Sequence, residues 1–88
     1  MKNKQWYVYM LRCSDSSLYT GITTDVQRRV EEHNGLDDLS ALGARYTRAR
    51  RPVELVYQES AESRSEASKR EYVIKKMKKQ QKESLLNV

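Results

Sequence analysis

Two short segments, Tyr7-Val8-Tyr9 and Tyr19-Thr20-Gly21, are followed within a few residues by Arg29 and His33. That order places two phenols on neighbouring strands and then offers an arginine and an imidazole one helical turn apart. Few structural needs ask for this set of groups in this order, whereas phosphodiester chemistry does. An arginine can clamp a phosphate oxygen with its planar fork and stabilise charge that develops in a transition state. Being four residues apart, Arg29 and His33 project from one helix face, and Val26 and Val30 share the same spacing beside them. The pair should therefore lie at the edge of the core, where the hairpin packs. The plainer alternative is an arginine in ion pairs with Glu31 or Glu32 and a histidine that merely ends a helix.

Farther along, Glu71 lies within one helical step of Ala67 and Ile74, near an apolar face where an unpaired carboxylate is costly. A carboxylate so placed suits Mg²⁺, which takes one or two carboxylates plus waters and substrate phosphate. Spacing alone favours an ordinary i,i+4 ion pair from Glu71 to Lys75. Arg45, Arg48, Arg50 and Arg51, with Tyr46 and Thr47 among them, form one basic and aromatic cluster. Lys75, Lys76, Lys78, Lys79 and Lys82 form another. Groups of this kind neutralise phosphates and position a duplex without reading its sequence.

The elements that must hold these groups can be read from local chemistry. Residues 6–12 are rich in aromatic and β-branched types and read as a strand, Ser14-Asp15-Ser16-Ser17 as a turn, and Leu18–Ile22 as a second strand. The hairpin turn falls near residue 15, so Tyr9 and Tyr19 come close to opposite one another. Thr24 with Gln27 three residues on forms a capping box, with Asp25 in the first turn, and Asn34-Gly35 ends the helix at about His33. Residues 35–44 read as a loop, and a short helical turn precedes Pro52, which can open a strand but not sit inside a central one. Val53–Tyr57 is the third strand. Ser63 and Glu66 form a second capping box that opens a helix through about Met77, with Ala67, Ile74 and Met77 as its apolar stripe. A last basic segment ends in Leu85-Leu86, a short helix docked by those leucines. The pattern predicts an α/β (α+β) fold, a small sandwich with a three-stranded antiparallel sheet flanked by helices.

Composition bounds the rest. At 88 residues the chain reads as one domain, 1–88, that buries roughly 60–65% of its unfolded surface. Its 38% hydrophobic and 33% charged residues suit a small folded domain rather than a disordered one. Six Tyr without any Phe is a further hint, because each buried hydroxyl wants a partner. The single cysteine, Cys13, excludes an internal disulfide and a cysteine-based zinc site, and points to a reduced, cytoplasmic protein. The apolar run Trp6–Leu11 is too short for a signal-peptide core or a membrane span. Residues 1–44 hold five Lys/Arg against six Asp/Glu, net −1, and residues 45–88 hold twelve against six, net +6. A basic half on a near-neutral scaffold implies a polyanionic partner, nucleic acid before membrane, or else a solvated helix face.

Taken together, Tyr7-Val8-Tyr9, Tyr19-Thr20-Gly21, Asp25–Val30 and His33 resemble the GIY-YIG nuclease domain. His33-Asn34-Gly35, Gly43–Thr47, Arg51–Tyr57 and Glu66-Ala67 with Glu71 and Ile74-Lys75 are similar to its small stand-alone bacterial branch, over about residues 5–80. The resemblance implies a divalent-metal-dependent endonuclease that hydrolyses DNA phosphodiesters, weakly specific or structure-directed, in repair or recombination. It implies Tyr9, Tyr19, Arg29 and His33 as catalytic residues, Glu71 as the ligand of Mg²⁺ or Mn²⁺, and Gly21 as a structural position. One tyrosine would act as general base on the attacking water, and its pKa, ordinarily about 10, would need tuning by Arg29 or the metal. DNA would lie on Arg45, Arg48, Arg50, Arg51, Lys75, Lys76 and Lys79. Two positions depart from the pattern: Tyr7 replaces a glycine, and Ile22 stands where some relatives carry a lysine. The alternatives are a nucleic-acid-binding module that does not cut and a nuclease subunit active only with a protein partner for targeting.

Overall fold

The computed structural model describes residues 5–35 and 45–86. Its centre is β1 (Trp6–Arg12), which pairs with β2 (Leu18–Thr23) on one side and β3 (Glu54–Ala61) on the other, both antiparallel, in the order β2-β1-β3. Val8, Tyr9, Met10 and Leu11 are all buried, so the middle of β1 is covered on both faces. That is why its apolar residues run on without polar alternation. The turn after β1 is closed by Asp15, whose carboxylate accepts from the Ser17 N–H at 3.0 Å. In the resulting register Tyr9 faces Gly21 and Leu11 faces Tyr19. The two phenols thus sit one same-face step apart rather than directly opposite. Opposite β3 the register shifts between Met10 and Leu11, which pair with Tyr57 and Leu55 and leave Val56 as the extra residue of a bulge.

Helix α1 (Val26–Asn34) starts one residue later than the capping box suggests. Asp25, not Thr24, is the N-cap, accepting from the Arg28 N–H at 3.1 Å, while Thr23 Oγ1 accepts from the Asp25 N–H. Gly35 ends the helix in the left-handed conformation, φ 66°. Its last carbonyls are taken up by Arg51, whose Nε donates to His33 O at 2.6 Å. A Cβ on Gly35 would meet that guanidinium at 2.5 Å. Asn34 completes the junction by pairing with the Val53 backbone as a strand neighbour would, at 3.0 and 2.7 Å. These bonds hold residues 51–53 against α1 and so bring the four-residue α2 (Arg45–Arg48) beside His33. The expected loop at 35–44 lies, beyond Gly35, outside the described residues.

Strand β3 runs four residues past the expected Tyr57, because Gln58–Ala61 pair with Trp6–Tyr9. Helix α3 (Arg64–Lys75) opens on the expected Ser63 cap, which accepts from the Glu66 N–H at 3.1 Å. It stops at Lys75, two residues short of the expected Met77. Helix α4 (Lys79–Leu86) follows, and Leu85 and Leu86 dock it. Val8 and Met10 pack with Ala67 and Ile74 of α3, ringed by Trp6, Ile22, Val56, Met77, Leu85 and Leu86. Tyr9, Leu11 and Cys13 pack on the opposite face with Val53, Tyr19, Val26 and Val30. The structure is the expected α+β sandwich, with α1 on one face of β1 and α3 and α4 on the other. No helix among the described residues is long and apolar enough to cross a membrane.

Candidate active site

Alternation along β1 sends Tyr9 to the α1 face, and the Tyr9–Gly21 pairing decides where its ring lies. A Cβ on Gly21 would stand 2.6 Å from the Tyr9 hydroxyl oxygen. The phenol therefore lies across the glycine, and only a residue without a side chain leaves it room. Tyr19, two residues before Gly21 on β2, points to the same face, with ring centroids 6.4 Å from Tyr9 and 5.1 Å from His33.

His33 is fully buried rather than at the edge of the core. Its Nε2 is 2.8 Å from the Tyr9 hydroxyl and its Nδ1 is 2.7 Å from Thr47 Oγ1 of α2, which is also buried. A chain of three buried polar side chains, Tyr9, His33 and Thr47, thus links β1, α1 and α2. Each member has partners, so the chain avoids the cost of an orphaned buried polar group. Either neutral tautomer of His33 satisfies both bonds.

Arg29 and Glu71 border this chain. Arg29 donates to Glu32 at 2.8 Å, the ion pair anticipated by the plainer reading, and its guanidinium also acts electrostatically on Tyr9. Glu71 pairs with Lys75 at 3.2 Å, as spacing suggests, and is also felt by the Tyr9 phenol. Its side chain keeps 22% of its surface exposed, so it is not sealed from solvent. Among the described residues no three His, Cys, Asp or Glu side chains gather around one point. This donor set does not fit a closed protein cage, but it does fit a cation held by one carboxylate with water and substrate oxygens for the rest.

Of the two influences expected to depress a phenol, Arg29 or a metal, Arg29 acts in the expected direction but does not by itself outweigh burial. Burial, and then Tyr19, push the Tyr9 pKa up; Arg29 pulls it down without prevailing, and Glu71 adds to the rise. Burial, and then the Arg29 charge, push His33 down to about 4, with Arg51 adding to the effect and Glu32 opposing it. At neutral pH both groups are uncharged, and the Tyr9–His33 bond joins a protonated phenol to a neutral imidazole.

The basic cluster divides. Arg45 and Arg48 are exposed on α2. Arg50 instead bonds Asp15 at 2.9 Å and the Tyr46 carbonyl at 3.0 Å, and its guanidinium lies 3.9 Å from the centre of the Tyr46 ring. Arg51 holds the end of α1. Both were expected on DNA, and both are engaged in building the fold around α2. Of the lysines, Lys75 is paired to Glu71, Lys76 sits 4.6 Å from the Tyr72 ring, and Lys79 is exposed. Sequence reasoning had no hold on Thr47. A threonine inside a basic cluster carries no periodicity, and its place against the imidazole depends on bonds between segments far apart in the sequence.

A family model described as the GIY-YIG catalytic domain matches residues 5–84. The chain is 57% identical to a UPF0213 protein of Desulfotalea psychrophila over 81 residues, which cover 92% of this chain and 70% of that one. It is 56% identical to a UPF0213 protein of Halobacterium salinarum over 79 residues, 90% of this chain and 96% of the other. The solution NMR structure of a UPF0213 protein from Bacillus halodurans matches with TM-score 0.58 and 43% identity, covering 94% of this chain and 83% of that one. A second, of a protein from E. faecalis, matches with TM-score 0.62 and 44% identity, covering 98% and 86%.

Proposed function

The chain belongs to the GIY-YIG family, and on that premise we propose that it is a metal-dependent endonuclease hydrolysing DNA phosphodiesters. The observation that carries the reading is the buried Tyr9–His33–Thr47 chain, with Tyr19, Arg29 and Glu71 around its open end. Structural packing alone gives no reason to bury a neutral imidazole between a phenol and a threonine beside an arginine.

In this mechanism Arg29 holds the scissile phosphate and stabilises the charge that grows on its oxygens. Glu71 would hold Mg²⁺ or Mn²⁺, which when bound neutralises the phosphate and the leaving oxygen. Tyr9 is the base, and Tyr19 orients the attacking water. With its pKa raised, Tyr9 does not rest as a phenolate. It takes the proton of the attacking water on its oxygen as its own proton passes to His33 Nε2, 2.8 Å away. This route needs no charged base in the resting site. Burial and then Arg29 disfavour the imidazolium it forms, and Glu32 offsets them only in part, so His33 carries the proton only in passing.

Phosphate contacts are assigned to the exposed Arg45 and Arg48 and to Lys75, Lys76 and Lys79. Such contacts position DNA without reading bases, so cleavage is weakly specific or directed by DNA structure, as in repair or recombination. The test incubates the protein with plasmid and branched DNA, with Mg²⁺ or EDTA, beside Arg29→Ala and Glu71→Ala. Wild type should cut only with the metal, and each variant should lose about 10²–10³-fold in rate. Equal cutting by all three sinks the site. Salt-dependent binding without cutting makes the protein a binding module. Cutting that appears only with an added protein makes it a subunit.

A further inference from the structure

Helix α2 is four residues long, yet two adjacent side chains on it reach different arms of the site. Thr47 turns inward to His33 at 2.7 Å. Tyr46 stacks on Tyr19, with ring centroids 6.0 Å apart and planes 27° from parallel. The Tyr46 ring is in turn covered by the Arg50 guanidinium at 3.9 Å, and Arg50 is tied to Asp15 in the turn between β1 and β2 at 2.9 Å. A closed circuit therefore runs from the hairpin turn through Arg50 and Tyr46 to Tyr19 on the same hairpin. We propose that α2 is a clamp that sets both phenols: Tyr46 positions Tyr19, and Thr47 positions Tyr9 through His33.

The Thr47 arm acts on the tautomer as well as on the ring's orientation. Arg29 is a donor only, and its positive charge acting on the Tyr9 phenol favours turning the phenol oxygen toward it and the phenol proton away. The acceptor within reach is His33 Nε2. The imidazole proton then belongs on Nδ1, where it needs an acceptor of its own, and Thr47 Oγ1 supplies one. A ring held in this tautomer can receive the Tyr9 proton, and a ring in the other cannot. The Tyr46 arm acts by geometry. Tyr19 is only partly buried; Tyr9 and His33 hold its ring on one side, and the Tyr46 stack adds a further contact that fixes its orientation. Tyr46 is 39% exposed, but its ring is already engaged by Tyr19 and by Arg50, which favours a positioning role over stacking on a DNA base.

The kinetic readouts rest on the endonuclease reading, whereas the spectroscopic ones do not. In the full chain, Thr47→Val and Tyr46→Leu should each lower kcat about tenfold with KM for DNA unchanged, and Thr47→Ser and Tyr46→Phe should restore kcat to within about twofold. His33 is the chain's single histidine, so its imidazole ¹⁵N signals can be read without ambiguity. They should report the proton on Nδ1 in wild type and Thr47→Ser, and a shift toward Nε2 in Thr47→Val. The Tyr19–His33 ring cross-peaks, expected at a centroid distance of 5.1 Å, should weaken in Tyr46→Leu and persist in Tyr46→Phe. An unchanged tautomer in Thr47→Val overturns the first arm. Unchanged cross-peaks, or a raised KM with kcat intact, overturn the second. If wild type does not cut DNA, the endonuclease reading fails, and the two spectroscopic outcomes alone decide the clamp.

Discussion

The two faces of β1 are built by different rules from the same seven residues. Val8 and Met10 face α3 and α4 and pack with Ala67 and Ile74, and the buried Thr20 opposite Met10 adds one hydroxyl to an otherwise apolar cluster. Tyr9 and Leu11 face α1, where the centre of the layer is a phenol, an imidazole and a threonine hydroxyl. Apolar burial stabilises by area and tolerates approximate shape, at about 25 cal/mol per Å². A buried polar chain adds little net stability and demands that every partner be in place. The α3/α4 face therefore holds the domain together, and the α1 face is carried by it while keeping an arrangement suited to proton transfer.

The largest expected effect should separate the faces cleanly. Ile74 is fully buried against Val8 and Met10, and Ile74→Ala should cost about 2–5 kcal/mol of unfolding free energy in urea melts. The folded fraction of that variant should keep the wild-type ¹⁵N pattern of His33. A change in that pattern would show that the two faces are not independent.

A comparable effect, on the α1 face, is set by pH. Folded His33 titrates near 4, against about 6.5 when unfolded, so between those values the unfolded chain binds more protons. Stability is fully present above about pH 6.5 and falls progressively as pH drops toward 4, by about 3 kcal/mol from this group. His33→Gln should flatten that slope relative to wild type, while carboxylates common to both chains cancel in the difference. An imidazole signal in wild type that titrates near 6.5 would end the account of a neutral buried ring.

The contrast between the faces also explains what could be read from sequence. The apolar face was legible as a pattern: Ala67 and Ile74 keep helical spacing, and Ser63 with Glu66 announces the start of α3. The N-cap of α1 was misplaced by one residue because Thr23, Thr24 and Asp25 are all able to cap, and the choice depends on how β2 ends. The end of β3 was missed because Gln58, Glu59 and Ser60 have weak strand preference and are held by pairing with β1. In the site, Tyr9, Tyr19, Arg29 and His33 could be read because strand alternation and helix spacing bring them to one face. Thr47 and Tyr46 could not, since their place is fixed by Asn34, Arg51 and Arg50 bonds between distant segments. The same bonds give Arg50 and Arg51, both expected on DNA, partners within the fold.

A smaller effect probes how tightly the polar face is specified. A methyl group at Gly21 would meet the Tyr9 hydroxyl oxygen at 2.6 Å and the adjoining ring carbon at 2.7 Å. Gly21→Ala must displace the ring, at about 1–3 kcal/mol of stability, and in doing so lengthens the bond to His33. Thermal melts and cleavage rates should fall together in this variant. A stable Gly21→Ala that cuts at the wild-type rate would mean that the phenol's position over the glycine is not needed.

The smallest expected effect concerns the outer surfaces of the two layers. Arg45 and Arg48 are exposed on α2, over the polar face, whereas Lys76 and Lys79 belong to the α3/α4 side. Removing one cation that neutralises a phosphate should reduce the slope of log K against log salt by about 0.9 on duplex DNA. Arg45→Ala with Arg48→Ala should therefore lower the slope by about 2 and weaken binding equally on unrelated sequences. Because neither arginine takes part in the His33 chain, kcat at saturating DNA should not change. If the paired substitution of Lys76 and Lys79 lowers the slope by as much, the DNA spans both layers and crosses the sheet edge at β2, between Arg29 and Glu71. If only the arginine pair does, the DNA lies wholly on the polar face, and the apolar layer serves it only as support.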